Sequence, residues 1–168
     1  FMPVFGLNNG MIPIISYNYG AQKPDRMKRT MKLGVMVGCS IMVFCLAIMQ
    51  VFPGQILKIF DATDEMLLMG IPAVRIMSTA FIFAGFSVTC SGMFQAVGKG
   101  VYSMIVSMAR QLFVILPVAY FLSKAMNSVN GVWAAFPIAE VFSVIISTIL
   151  LLRVYKKIVK PMESVQRD

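Results

Sequence analysis

Histidine is absent from the 168 residues, and charge is scarce. Asp, Glu, Lys and Arg together make up 13% of the chain, against about 25% in soluble domains. Without histidine the chain lacks the commonest metal ligand and general base. No nucleotide-binding loop and no paired carboxylates take its place, so an enzyme is not expected, and neither is a cofactor. Cysteine is equally sparse. Cys39, Cys45 and Cys90 are odd in number and lie within apolar runs, which argues against a disulfide framework and for small buried hydrophobes. Acids are the rarest charge of all, seven against fifteen Lys and Arg.

What remains is apolar. Hydrophobic residues make up 58% of the chain, and the mean hydropathy is +0.80. A water-soluble core of this length cannot hide that much apolar surface, so the sequence reads as an all-α integral membrane protein lying in a lipid bilayer. The net charge of +8 does not point to nucleic acid, because the cations gather at the ends of apolar runs and not on one soluble face. Phe1 is not an initiator, no charged region precedes an apolar leader, and the chain opens inside an apolar passage. The expectation is a C-terminal part of a longer protein.

Five spans are expected, at about 1–17, 33–52, 72–97, 101–123 and 131–152, so that 1–155 forms the bundle and 156–168 a basic tail. The first is short against the roughly 20 residues a span needs. Gly34 and Gly38 form a small-xxx-small pair suited to close helix packing, and Ala80, Ala84, Ser87 and Ser91 give the third span a small face. Pro24-Asp25 reads as a helix start with Asp25 as N-cap. Pro72 reads as a first-turn residue, Gly98-Lys99-Gly100 as a tight turn, and Ile56 to Phe60 as a short interfacial helix.

Cations set the direction. Lys23, Arg26, Lys28, Arg29 and Lys32 crowd one loop, Lys99 sits in a second, and Arg153, Lys156, Lys157, Lys160 and Arg167 fill the tail. The alternate loops hold only Lys58 and Lys124. Lys and Arg mark the cytoplasmic side of a bilayer. The tail is therefore expected in the cytoplasm, with the N-terminal end outside and further helices before it.

Glu140 is the only acid well inside a span, and Arg110 lies at a matching depth, each about 13 Å from its own helix end. In a hydrocarbon core about 30 Å thick both are near the middle. Ionisable groups there are costly and usually functional. Two readings stand: a structural Arg–Glu pair locking two helices, or a carboxylate that binds a cation or substrate. Arg75 could meet Glu140 instead, or snorkel to the surface. Trp133, Pro137 and Glu140 share a face by α-helical spacing, as do Arg110, Val114 and Pro117. Asn8, Asn9, Gln95 and Gln111 are candidates to hydrogen-bond a substrate, as is Asn18, or to join helices. Fifteen Met and thirteen Phe suit an adaptable apolar pocket, or simply core and lipid-facing positions.

Five passages resemble the multidrug and toxic compound extrusion (MATE) transporters, in order and at matching topology. They are Gly6 to Ala21 (GLNNGMIPIISYNYGA), Ile71 to Ile76 (IPAVRI), Ser91 to Gly100 (SGMFQAVGKG), Leu116 to Tyr120 (LPVAY) and Gly131 to Ala134 (GVWA). The match is to the last five helices of a twelve-helix, two-lobe protein, which implies most of one six-helix lobe. It implies multi-pass placement in a plasma membrane, that of a bacterium. It further implies export of small organic cations or drugs by alternating access, coupled to sodium or proton flow, with the N-terminal lobe of the same protein as partner. Some family members place a carboxylate in the third span, and here that span has no Asp or Glu. A precursor flippase of related architecture and a non-transporting structural subunit are the rival readings.

The orientation is open to test. Cysteines placed at Gln22 and at Asp61 in the full-length protein are expected to label from opposite sides, Gln22 from the cytoplasm. Labelling of both from outside would overturn the assignment.

Overall fold

A computed structural model describes residues 1–165, and these are almost wholly helical. The helices are α1 (Met2–Gly20), α2 (Pro24–Val51), α3 (Pro53–Ile59), α4 (Asp64–Ser78), α5 (Phe81–Ala96), α6 (Gly100–Met108), α7 (Leu116–Met126), α8 (Asn130–Val154) and α9 (Lys160–Val165). Two π-helical segments, Ala109–Ile115 and Tyr155–Val159, join α6 to α7 and α8 to α9 without a break. Arg167 lies outside the described residues.

Proline explains both π segments. An interior proline has no N–H for the carbonyl four residues back. Pro117 and Pro161 each follow a π segment by two residues. In an i→i+5 register, the carbonyl that the ring cannot serve meets the next residue's N–H. Pro13, Pro72 and Pro137 sit inside α-helices with no such segment. Arg110, Val114 and Pro117 therefore do not share an α-helical face, because the turn holding Arg110 is π-wound.

Three continuous helical stretches are long and apolar enough to cross a membrane: Pro24–Val51, Gly100–Met126 and Asn130–Ser164. The third expected span is instead a bent pair, α4 and α5, meeting at 52° across Thr79 and Ala80. Counting it as one span gives up to four. α1 has 19 residues, but Asn8, Asn9 and Asn18 lower its apolarity below the others. Helix ends also differ from expectation. α4 begins at Asp64, capped by Thr63, whose hydroxyl accepts from the Met66 amide, so Pro72 is mid-helix. α2 begins at Pro24 with Lys23 in the N-cap position, so Asp25 lies in the first turn, where it suits the helix dipole.

The core lies where α1, α2, α5 and α8 converge. α1, α2 and α8 all pack against α5, α6 packs chiefly against α5, and the first π segment and α7 pack against α8. Small residues permit the close approaches. A Cβ on Gly38 would stand 2.5 Å from Thr89 Oγ1, and one on Gly92 would stand 2.7 Å from the Asn8 amide. The Gly34 partner is Met11. Gly98, at φ +72°, supplies the left-handed turn between α5 and α6 that a side chain would disfavour.

The described part of the stretch expected to be a tail, 156–165, is helical and packed. Val159 is fully buried and Met162 nearly so. Glu163 reaches Lys28 at 2.8 Å, Lys28 also reaches Asp25 at 3.0 Å, and the Tyr155 hydroxyl donates to Glu163 at 3.4 Å. Lys28 holds the Glu163 carboxyl below its ordinary range, and the two acids hold the Lys28 ammonium above its own.

Gly92→Ala tests the α1–α5 approach. The Asn8 amide it meets is fixed, because Asn8 Nδ2 donates to the Val88 carbonyl at 2.9 Å. The substitution is expected to cost about 1–3 kcal/mol by overpacking, read as a lower melting temperature of the full-length protein in detergent. Gly6→Ala, with nothing within 4 Å, is expected to leave the melt no lower, since alanine is the better helix former.

Candidate functional site

Arg110 and Glu140 meet. Arg110 Nη1 donates to Glu140 Oε1 at 2.6 Å. The Glu140 side chain is 8% exposed and the Arg110 side chain 27%. The π segment packs against α8 and presents Arg110 to it, and α8 buries Glu140. Arg75 stays exposed, and its backbone carbonyl accepts from Gln50 Nε2 at 2.8 Å. Of the two partners foreseen for Glu140, Arg110 is the one it has.

Beside this pair is a cavity of about 490 Å³. Four of the expected residues line it: Asn8, Asn9, Gln95 and Arg110. Gln111 does not, being exposed on another side of the π segment. Glu140 does not line it either, since Arg110 stands between the carboxylate and the cavity wall. Gln95 Nε2 donates to Ser103 Oγ at 3.2 Å, which ties the end of α5 to α6. Asn18 lies away from the cavity and donates to its own helix at the Ile14 carbonyl.

The residues not singled out as site candidates from sequence are serines. Ser87, Ser91, Ser103, Ser107 and Ser143 all line the cavity. A signal was present. Serines recur four residues apart at 87/91, 103/107 and 143/147, one helical turn each, on three segments that converge. Phe1, Phe5, Ile12, Val88 and Val106 supply the apolar part of the wall. Among the described residues that line it, Arg110 is the single charged one.

A helical membrane bundle with a polar cavity and a buried ion pair beside it belongs to the class of membrane transport proteins. Comparison with known proteins narrows the class. The MatE family model matches residues 1–121, most of the chain, and the chain belongs to that family. It is 27% identical over 131 residues to the multidrug export protein MepA of Staphylococcus haemolyticus, covering 78% of this chain and 28% of that protein. MepA of a bovine Staphylococcus aureus strain is 28% identical over 137 residues, covering 82% and 30%. Among solved structures, the MATE multidrug transporter DinF-BH in complex with R6G superposes with a TM-score of 0.83 at 33% identity, over 92% of this chain and 34% of that one. An inward-facing MATE family transporter gives 0.86 at 18% identity, over 97% and 37%, a likeness of fold alone. The chain thus spans roughly a third or less of each relative, and its bundle is part of one lobe.

A double-mutant cycle measures the ion pair. Arg110→Met leaves Glu140 buried without a partner, which typically costs about 3–5 kcal/mol; the partial exposure of Arg110 favours the lower end. Combining it with Glu140→Gln is expected to restore much of that loss in thermal melts of the full-length protein. Additive losses would mean that the two side chains do not couple.

Proposed function

We propose that this chain forms part of one lobe of a bacterial multidrug exporter. The exporter would move small organic cations and related amphiphiles outward by alternating access, against an inward flow of sodium or protons. The observation that carries this is the cavity wall. It pairs hydroxyls and amides with aromatic side chains, and it adjoins the only acid within the expected spans. Such a wall offers many weak contacts to varied ligands, which suits a site that must also release them. The names of the relatives, multidrug export proteins and a multidrug transporter, point the same way. In this reading the Lys/Arg-rich end is cytoplasmic, and the N-terminal lobe supplies the rest of the path.

Glu140 is the coupling candidate. Its carboxylate is held from one side by Arg110 and is otherwise buried, so an incoming cation reaches it only by competing with the guanidinium. Competition of that kind links two flows through one charge. A second reading is favoured by one observation: the single charge on the cavity wall is positive, which suits an anionic lipid-linked precursor better than a cation.

Glu140→Gln tests the coupling role. In sealed vesicles with an imposed ion gradient, the full-length variant is expected to fold yet lose gradient-driven export of a cationic dye. Export at the parental rate by a folded variant would leave Glu140 a structural residue and move coupling elsewhere.

A further inference from the structure

A guanidinium carries several N–H donors in a planar fork and has no acceptor. Arg110 spends one of them, from Nη1, on Glu140 Oε1. Its Nε is sealed and has no partner. Its Nη2 is neither sealed nor bonded among the described residues. Arg110 lines the cavity, so Nη2 is the nitrogen it offers to whatever enters.

Three neighbours on the wall are free in the same way. Asn9 and Ser107 are exposed, and Ser91 is half-buried with its hydroxyl unsealed. They line the cavity from α1, α6 and α5. A helical serine commonly bonds back to a carbonyl of the preceding turn, as Ser40 and Ser87 do. Ser91 and Ser107 do not, and Asn9 likewise has no partner among the described residues. The other polar groups of the wall are engaged or enclosed. Asn8 donates to Val88 and Gln95 to Ser103, and the Ser143 hydroxyl is sealed.

The unspent groups converge on one cavity, and the only charged one among them is a pure donor. A ligand cation entering here meets the guanidinium before it meets Glu140. A ligand anion meets Nη2 first. We propose that Arg110 Nη2, Asn9, Ser91 and Ser107 form a subsite for the carboxylate of a small amphiphile whose apolar body lies on Phe1 and Phe5. One carboxylate oxygen takes the charge-assisted bond from Nη2, the stronger kind. The hydroxyls and the Asn9 amide serve the other. A single negative charge is what the site suits. Glu140 already balances much of the guanidinium, and among the described residues the wall holds no second cation for a dianion such as a phosphate monoester.

The subsite also places ligand and Glu140 on opposite nitrogens of one side chain. A carboxylate that draws Arg110 towards the cavity weakens its hold on Glu140, so what binds on the wall is felt at the buried acid. Binding itself is a property of the cavity and stands apart from transport. Its use, export of amphiphiles that carry a carboxylate, rests on the exporter reading.

The test measures binding to the full-length protein in detergent by fluorescence polarisation. The probes are rhodamine B, whose cationic ring system carries a free carboxylate, and its ethyl ester, in which only that group is masked. The carboxylate form is expected to bind at least about tenfold more tightly than the ester, the scale of one hydrogen bond to a charged group. Arg110→Gln/Glu140→Gln, which leaves no buried charge unpaired, is expected to bring the two dyes within about twofold of each other. Ser91→Ala/Ser107→Ala keeps the ion pair and is expected to cut the preference about threefold. Equal affinities in the parental protein would overturn the subsite, and so would a preference that survives the loss of Arg110. Should the Arg110 variant not fold, the serine variant decides, and an unchanged preference there would overturn the subsite as well. Preferential binding of the carboxylate without gradient-driven export of either dye would leave the subsite standing and sink the exporter reading instead.

Discussion

Inside a bilayer, a polar group must find its partner within the protein, because no solvent is at hand to supply one. That constraint arranges the centre of this bundle. Glu140 is tolerable at mid-helix because Arg110 meets it at 2.6 Å. Arg110 can do so because α8 and the π segment run side by side. Asn8 is tolerable on α1 because α5 comes close enough for Val88 to accept its amide, and α5 comes that close because residue 92 has no side chain. Ser16 ties the same two helices near their other end, donating to the Ala96 carbonyl at 2.8 Å. The polar bonds and the small residues are two sides of one solution: each close approach makes a bond possible, and each bond holds the approach.

Backbone irregularity follows the same rule. Prolines leave carbonyls without donors, and the chain answers at Pro117 and Pro161 by widening the turn ahead of them. At the first of these the widening has a consequence for the site. A residue added to a turn rotates everything before it relative to everything after, so the direction in which Arg110 points depends on the π register. The bend of 52° between α4 and α5 is a second departure, and it sets the upper end of α5 against α1, where Phe1 and Phe81 meet edge to face. The π segment borders the cavity directly through Arg110, and the bend meets it only through Phe1, which Phe81 contacts. Straight helices at those two places would give a different wall.

The class of the fold was legible because it rests on bulk properties: apolar runs, scarce charge, and cations placed at run ends. The ion pair was legible for a simple reason. Only one acid and two bases stood within spans, and depth along the helix distinguished the bases. Local features were less so. Pro72 looked like a helix start because proline favours that position, yet Thr63 capped the helix earlier and the ring was accommodated within it. Glu163 was indistinguishable in sequence from any acid in a basic tail; its meeting with Lys28 joins residues far apart in the chain. The serines of the wall were hidden by their double use. A serine on a membrane helix serves close packing as readily as hydrogen bonding, and Ser87 and Ser91 were read for the first role alone. Convergence of three helices decides between the roles, and spacing within one helix does not reveal it.

The placement of charge in this lobe bears on how it would respond to a ligand. A ligand shifts a conformational balance only by binding one state better than the other. Hydroxyls and amides spread over several helices bind weakly, and those that adjust with the wall do little to favour one arrangement. The ion pair differs in kind. A step that drew the π segment from α8 would leave a carboxylate buried and alone, at a cost of several kcal/mol, unless something replaced the guanidinium. A proton would do so by removing the charge, and a cation by balancing it. Either would lower the barrier to that separation in proportion to how well it replaced Arg110. In the proposed exporter, the cavity wall would set which ligands can enter, while the pair behind it would be the element whose energy a bound charge changes.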